Sequence, residues 1–168
     1  MIKNIELKDP EDSDIPFLLK IENDLCNQFF TTKWRFYSEN DVKYFVQKKQ
    51  NLLMNLQYRF MISYEFNSIG CIDLIDFDLV NSRVELGIFI DERYRKNGFA
   101  FNALEEIKNK IHHDYSINQI YVEILSDNLA SINFFKKSGF QKIGCKKKWI
   151  RKENDFLDLH LYQFFFNI

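Results

Sequence analysis

The feature that most constrains the fold is an apolar run followed by a short polar loop and an amphipathic helical pattern. Residues 84–90 form the run, which is typical of a buried strand. The loop that follows carries cations and a single glycine, and residues 98–113 then repeat apolar side chains at helical spacing. Because each element must bury its apolar side against the other, this order predicts a layered α/β fold.

The loop between this strand and this helix has the composition of an anion site. Unpaired N–H groups and the positive end of the dipole make a helix start attractive to phosphate. Arg95 and Lys96 add charge, and Gly98 would allow the backbone to approach a ligand closely. A single glycine at such a position is also often only a turn residue. The motifs G-x-x-x-x-G-K-[ST] and G-x-G-x-x-G do not occur, so a P-loop and a dinucleotide fold are not expected.

Length and composition predict one domain over residues 1–168. The chain is 46% hydrophobic, and 168 residues are enough to bury a sizeable core. A formal net charge of −1 argues against binding to nucleic acid through bulk charge. No apolar run approaches the roughly 20 residues that span a bilayer, and the first ten residues lack a secretory pattern. We therefore expect a cytoplasmic protein with no nucleic-acid or membrane partner.

Cysteine and histidine spacing gives no indication of a metal. The three cysteines are scattered without a C-x-x-C pair, and no H-E-x-x-H is present among the three histidines. We expect reduced thiols and no metal site.

Periodicity predicts an alternation of strands and helices along the chain. Helices are expected at residues 14–28, 40–51, 98–113 and 129–138, and Ser38 with Asp41 resembles a capping box before the second. Strands are expected at residues 2–7, 58–65, 69–77, 84–90, 119–124, 141–151 and 156–165, with turns at residues 66–68, 79–82 and 153–154. This order suits a mixed α/β sheet with helices on both faces.

Two segments resemble the signatures of the GCN5-related N-acetyltransferases (GNAT). Residues 95–100, RKNGFA, are similar to [RQ]-x-x-G-x-[GA], and residues 128–140, NLASINFFKKSGF, are similar to N-x-x-[AS]-x-x-[FL]-[YF]-x-K-x-G-F. The resemblance runs from about residue 68 to residue 164 and is similar to the branch holding spermidine, ribosomal-protein and amino-sugar acetyltransferases. It implies a single-domain, mostly antiparallel sheet with a central splayed parallel pair.

The resemblance also implies a reaction and its partners. Acetyl-CoA would be the donor, and the acceptor would be a primary amine of a small molecule or a protein N-terminus. Relatives are often dimers, so a homodimer is among the expectations.

The resemblance assigns cofactor-binding residues in three places. The pyrophosphate loop is matched by Arg95, Lys96, Asn97, Gly98, Phe99 and Ala100. The backbone positions that contact the acetyl and pantetheine groups, between the splayed strands, are matched by Phe89 and Ile90. Asn128 matches an asparagine that often binds the pantetheine arm, although asparagine is equally suited to a helix N-cap.

Transfer to an amine requires a base. An amine of pKa about 10.4 is almost wholly protonated at neutral pH, and reaching its neutral form costs about 4–5 kcal/mol. A carboxylate near the acceptor is therefore expected. Glu85 is the first candidate, because it is the only charge within residues 84–90, and Asp73 is the second. The alternative for Glu85 is an outward position or a structural partner.

Protonation of the departing thiolate is a smaller demand than deprotonation of the amine. The family often supplies it from a tyrosine, but the matching position here is Phe135, which has no proton to give. A thiol of pKa near 8.5 leaves tolerably as its anion. Tyr162 or Tyr37 could substitute, and Phe135 could instead pack under the cofactor.

The interpretation of three other features stays open at this point. Because Phe135 lacks a proton, the chain could be a non-catalytic module that binds CoA or acyl-CoA. The cations of residues 146–152 could bind RNA or an anionic acceptor, although a solvated face is favoured. The aromatic loop of residues 29–38 could wall the acceptor cleft or simply pack against the core.

Overall fold

Seven strands form one mixed sheet in a computed structural model that describes residues 4–28, 35–152 and 154–166. Their order across the sheet is β1-β2-β3-β4-β5-β7-β6. All neighbouring pairs are antiparallel except β4 and β5, which are parallel. The strands are β1 (Glu6–Lys8), β2 (Tyr58–Tyr64), β3 (Asn67–Asp78), β4 (Arg83–Ile90), β5 (Gln119–Leu125), β6 (Gln141–Lys152) and β7 (Asp155–Phe165). The predicted fold class, with its central parallel pair, is confirmed.

The helices connect these strands. They are α1 (Ile15–Asn23), α2 (Leu25–Gln28), α3 (Glu39–Gln47), α4 (Leu52–Asn55), α5 (Phe99–Tyr115) and α6 (Leu129–Lys137). Single 3-10 turns occur at Asp12–Asp14 and Glu92–Tyr94. Across the described ranges, no helix combines the length and the apolar character that crossing a membrane would demand.

The two faces of the sheet carry different helices. On one face, α5 and α6 pack on the central strands in the main core, where Leu86, Ile107 and Phe135 are buried. On the other, α1 and α3 cover β2, β3 and β4 through a second cluster that includes Leu18 and Met61. We call these the α5 face and the α1 face. Because side chains alternate along a strand, successive residues within β4, and likewise within β5, point to opposite faces of the sheet.

Two predicted helices have different boundaries. The helix expected at residues 14–28 is divided into α1 and α2, because the backbone of Asp24 is extended (φ −72°, ψ 116°). The helix expected at residues 40–51 ends at Gln47, and α4, which was not predicted, follows. The Asn51 side chain accepts a hydrogen bond from the Met54 N–H at 3.1 Å and so starts that short helix.

Local capping chemistry was predicted more accurately than turn position. The capping box is confirmed, since the Ser38 hydroxyl accepts from the Asp41 N–H and the Asp41 carboxylate accepts from the Ser38 N–H. The turn expected at residues 66–68 is instead made by Glu65 and Phe66, both at positive φ. Such turns match the twist of a hairpin but usually contain glycine or asparagine, so the polar residues Asn67 and Ser68 misplaced the predicted turn. Parts of three predicted elements lie outside the described residues, namely residues 2–3, 29–34 and 153.

Candidate active site

The two central strands separate after three residue pairs. β4 and β5 pair at Arg83 with Gln119, Val84 with Ile120 and Glu85 with Tyr121. Beyond this point β4 continues to pair with β3 as far as Ile90, and β5 continues to pair with β7 as far as Leu125. Residues 86–90 and 122–125 therefore face each other across a gap without a ladder in the described structure, and we call this gap the wedge. Its lining backbone groups are available to an extended ligand.

The wedge opens toward the edge of the sheet where two helices begin. In a parallel pair the carboxyl ends of both strands lie at the same edge, and α5 follows β4 while α6 follows β5. Helix α5 has no side-chain cap at its N-cap residue, Gly98. The first N–H groups of an α-helix have no partner within the helix. This edge therefore combines a gap in the sheet with a helix terminus suited to an anion.

Gly98 leaves open space above the start of α5. Its φ of 86° lies in the left-handed region, where residues with a Cβ are strained. A Cβ built on Gly98 would meet no protein atom within 4 Å. The glycine is therefore required by its backbone conformation, and the surface above it is bare.

The other residues of the loop differ in what they offer a ligand. Arg95 is exposed, its Nε donates to the Ile90 carbonyl at 2.8 Å, and its guanidinium lies 5.6 Å from the centre of the Phe89 ring. The Asn97 side chain donates to the Arg95 carbonyl at 3.0 Å, which holds the loop in shape. Phe99 is only 2% exposed, so its side chain belongs to the core. Lys96 and Ala100 lie on either side of Gly98, and Lys96 also has a positive φ, of 60°.

Asp91 was not singled out from the sequence, yet it organises this loop. Its buried carboxylate accepts from the Arg93 guanidinium at 3.0 and 3.1 Å and from the Lys20 ammonium of α1 at 3.1 Å. The hydrogen bonds from Arg93 hold the pKa of the Asp91 carboxyl far below its usual range. Asp91 thus joins α1 to the loop at the end of β4. Only its position directly after the apolar run could have drawn attention to it.

Glu85 lies at the last residue pair before the wedge, opposite Tyr121. Alternation from Phe89, which packs in the second cluster, puts Glu85 on the α1 face. The Tyr121 hydroxyl donates to Asp76 at 2.8 Å. Burial, this hydrogen bond and the charges of Glu85 and Asp76 raise the pKa of Tyr121. The half-buried Glu85 therefore has a phenol and a second carboxylate as neighbours at the closed end of the wedge.

Asp73, the second candidate base, is engaged by an arginine. Both of its oxygens accept from the Arg59 guanidinium, at 2.6 and 2.8 Å. Arg59 also pairs with Glu22 of α1. Burial raises the pKa of the neighbouring Cys71 thiol to about 12, while the charge of Arg59 opposes this rise and those of Asp73 and Glu22 add to it. The charge of Asp73 is thus compensated by a bidentate ion pair, which opposes its use as a base.

Tyr162 and Phe135 are both buried in the main core, at 2% and 4% exposure. Tyr162 pairs with Val122, the first residue of β5 beyond the pairing with β4. Phe135 packs edge-on against Phe134 and Phe140, with ring centroids 5.0 Å apart in each case. The structure therefore brings Tyr162 and Phe135 into one cluster near the wedge on the α5 face, opposite to the side of Glu85.

Asn128 is the N-cap of α6. Its Oδ1 accepts from the Ser131 N–H at 3.1 Å, which is the capping alternative considered from the sequence. The amide nitrogen takes no part in that bond and lies at the edge where the wedge opens. Both assignments of Asn128 are therefore compatible with its position.

The basic strip of residues 146–152 is largely neutralised. Lys146 pairs with Glu123, Lys147 with Asp158 and Lys152 with Asp127. These ion pairs lower the attraction of the strip for an anionic acceptor or RNA.

The aromatic loop of residues 29–38 is described only in part, since residues 29–34 lie outside the described ranges. The backbone of Tyr37 exchanges two hydrogen bonds with the Asn23 side chain, at 2.8 and 2.9 Å, and Phe36 is exposed.

A separate cavity of about 330 Å³ lies beside the second half of α5. Asp9, Tyr58 and Lys110 are among the residues that line it, together with apolar side chains of β1, β2 and β3. It contains none of the residues predicted for the site, so we assign the site to the wedge.

Comparison with known proteins agrees with this geometry. An acetyltransferase (GNAT) domain model matches residues 4–141. The spermine/spermidine N(1)-acetyltransferase of Bacillus subtilis is 32% identical over 77 residues, which cover 45% of this chain and 51% of that protein. The chain spans about half the length of this and two other curated relatives that it matches.

Solved structures share the whole fold. Spermidine N-acetyltransferase from Vibrio cholerae, crystallised with CoA and spermine, superposes with a TM-score of 0.86 at 17% identity, covering 96% of this chain and 95% of that one. An acetyltransferase from Salmonella typhimurium that modifies the N-terminal serine of ribosomal protein L7/L12 gives 0.82 at 20% identity, covering 97% and 95%. At such identities these likenesses concern the fold alone.

Proposed function

The chain belongs to the acetyltransferase (GNAT) domain family, and from this premise we propose that it is an acetyl-CoA-dependent N-acetyltransferase acting on a primary amine. The observation that carries the proposal is the wedge. Two strands that start as a regular parallel pair and then separate leave backbone groups unpaired, which is costly unless water or a ligand satisfies them. An extended, amide-containing arm such as pantetheine has the shape and hydrogen-bonding groups to fill that gap.

The loop before α5 fits the other end of the same ligand. Bare space above Gly98, an uncapped helix start and the cations Arg95 and Lys96 suit a diphosphate. We assign diphosphate binding to the backbone of residues 95–100, and contacts with the thioester arm to Phe89 and Ile90. Asn128 and Phe135 would border the arm on the side of α6. When bound, acetyl-CoA supplies the thioester carbonyl that the amine attacks.

Glu85 is the proposed base. It lies at the closed end of the wedge on the α1 face, whereas the carboxylate of Asp73 is held by Arg59. A carboxylate there can accept the amine proton directly or through one water. The neighbouring Tyr121 and Asp76 would orient it and the acceptor ammonium. We therefore rank Glu85 above Asp73.

Tyr162 is the proposed proton donor to the departing sulfur. It is buried in the same cluster as Phe135, which occupies the position of the family's usual tyrosine, and on β7 it pairs with Val122, a residue that lines the wedge. The phenol can give a proton that Phe135 cannot. Tyr37, on the α1 face with its backbone bonded to Asn23, is less well located for this role.

The acceptor class is proposed only as a primary amine, of a small molecule or a protein N-terminus. The neutralised basic strip weakens the case for a strongly anionic acceptor. We also propose a reducing, cytoplasmic setting, which suits the free thiols Cys71 and Cys145, and a homodimer, which sedimentation would test.

Titration calorimetry with acetyl-CoA, followed by thiol release with a panel of amines, tests the function. We expect a one-to-one complex and thiol release with at least one amine. Absence of binding at submillimolar acetyl-CoA would refute the assignment.

The second candidate function is a non-catalytic CoA or acyl-CoA-binding module. Phe135 is the observation that favours it, because the usual proton donor is missing. Binding of acetyl-CoA without thiol release from any amine or N-terminal peptide would support the module.

A further inference from the structure

Three potential metal ligands meet on the last two strands, β6 and β7. Cys145 of β6 pairs directly with His160 of β7, and Asp158 lies two residues before His160 on the same side of its strand. The Sγ, carboxylate and imidazole donor atoms all lie within 4.8 Å of one another. Ligands of a tetrahedral ion at bond lengths of about 2.0–2.3 Å are separated by a little under 4 Å, so small side-chain rotations suffice.

One nitrogen of the His160 ring has no partner within the described part of the chain. Its Nδ1 atom is buried and makes no hydrogen bond there. Buried polar atoms are nearly always satisfied, so an orphaned ring nitrogen beside a thiol and a carboxylate calls for a ligand.

We propose that Cys145, Asp158 and His160 form a binding site for a divalent zinc-type cation. Thiolate, imidazole and carboxylate are the donor set that Zn²⁺ prefers, and three protein ligands leave a fourth position for water or another donor. The thiolate and the carboxylate together balance the charge of the ion.

Metal binding would replace two of the present contacts of the Asp158 carboxylate with the ion. Its Oδ2 now accepts from the Lys147 ammonium at 2.8 Å and from the Cys145 thiol at 3.7 Å, and its Oδ1 accepts from the Lys148 N–H at 2.8 Å. Zn²⁺ would replace the thiol proton, which is released to solvent, and displace Lys147, whose side chain is 77% exposed and free to move. The Lys148 N–H would stay on Oδ1 and orient the carboxylate.

The inference revises the expectation of no metal site. Cys145 is separated from the other two ligands by twelve or more residues, so no short motif exists in the sequence. The register of the β6–β7 hairpin brings the three together.

Spectroscopic titration with Co²⁺, which takes the same ligands as Zn²⁺ but absorbs light, tests the site without reference to acetyl transfer. When Co²⁺ is added to the metal-free protein, we expect a thiolate-to-cobalt charge-transfer band. Stoichiometric Zn²⁺ should abolish this band. Cys145→Ser should remove the band, and His160→Gln should weaken Co²⁺ binding by about 100-fold, since even changes beyond the ligands cost about 10–100-fold. Lys147→Gln should strengthen binding, because it removes the competitor for Asp158.

Matched variants guard against unspecific binding. Cys71→Ala removes a thiol in the second cluster, and His113→Gln removes a histidine that is 90% exposed. Both should keep the band. A band of equal intensity in Cys145→Ser, or no saturable Co²⁺ binding by the wild-type protein, would overturn the proposal. Circular dichroism of each variant separates a lost ligand from a lost fold.

Discussion

Glu85 and Asp73 are carboxylates on neighbouring strands and on the same face of the sheet, yet their surroundings differ. Asp73 shares both oxygens with Arg59, and Arg59 also holds Glu22. Glu85 lies where the ladder between β4 and β5 ends, next to Tyr121. A carboxylate held in a bidentate ion pair is a poor proton acceptor, so the pairing with Arg59 counts against Asp73 as the base.

We expect Glu85→Gln to lower kcat by about 100-fold or more, the usual contribution of a positioned base. The deficit should shrink as pH rises toward the amine pKa of about 10.4, because the solvent then deprotonates the acceptor. Acetyl-CoA affinity should be unchanged in calorimetry. Glu6→Gln, on the exposed edge strand β1, is the control. A pH-independent deficit would assign Glu85 to structure instead.

Gly98 and Gly139 form a natural pair for testing the loop. Both have left-handed backbones, with φ of 86° and 88°. Each change to alanine should lower the free energy of unfolding by about 1 kcal/mol through backbone strain. Only Gly98→Ala should also weaken acetyl-CoA binding, by more than about tenfold, because its Cβ would intrude on the diphosphate. Equal affinities in the two variants would make Gly98 a turn residue only.

At the scale of elements, the end of β4, the loop and the start of α5 behave as one unit. Gly70 of β3 lets this unit form, since a Cβ there would lie 2.2 Å from the Phe89 carbonyl oxygen. The Asp91 carboxylate then connects the loop to α1 by accepting from Lys20, and it stabilises the loop internally by accepting from Arg93. Close backbone approach and one buried carboxylate together fix where the helix begins.

Asp91→Asn should therefore weaken the fold in a pH-dependent way. The pKa of Asp91 is lower in the folded state than in the unfolded state, so its contribution is present above about pH 4 and is lost as pH falls further. We expect the free energy of unfolding of the variant to be about 1–3 kcal/mol lower than that of the wild type at pH 7.

Urea unfolding at several pH values measures this contribution. The difference between wild type and variant should shrink toward zero in acid. Asp114→Asn, which removes an exposed carboxylate of α5, should change little at any pH. A difference that persists unchanged at pH 2 would show that the ion pairs of Asp91 contribute no stability.

At the scale of the whole molecule, the sheet consists of two antiparallel halves joined by three parallel residue pairs. β1 to β4 form one half and β5 to β7 the other. Each half is supported by its own ladders, so the join can open into the wedge without unfolding either one. Helix α5 spans the main core on one face, while α1 and α3 cover only the first half on the other.

Hydrogen exchange should detect a ligand in the wedge. Acetyl-CoA should slow amide exchange within residues 86–90 and 122–125, because their wedge-facing groups gain partners. Arg83 and Glu85, already paired on both sides, should exchange slowly with or without it. If calorimetry detects binding but these segments show no slowing, the ligand binds elsewhere and the proposed site is wrong.

The sequence by itself determined the local features. Apolar periodicity identified the central strands and α5, and the capping box at Ser38 and the turn at residues 79–82 followed from local chemistry. The family signatures added the loop of residues 95–100. Such features depend on residues within one or two turns of each other, so they can be inferred without knowing the rest of the chain.

Tertiary structure alone decided the contacts between residues that are distant in the chain. Pairing of Asp73 with Arg59, burial of Tyr162 beside Phe135, and the meeting of Cys145 with His160 all depend on strand register and helix packing. A one-residue slip would reverse the face of every side chain on a strand. Local patterns do not fix that register. That Arg59 holds Asp73, and where the sheet opens, could therefore be learned only from the folded chain.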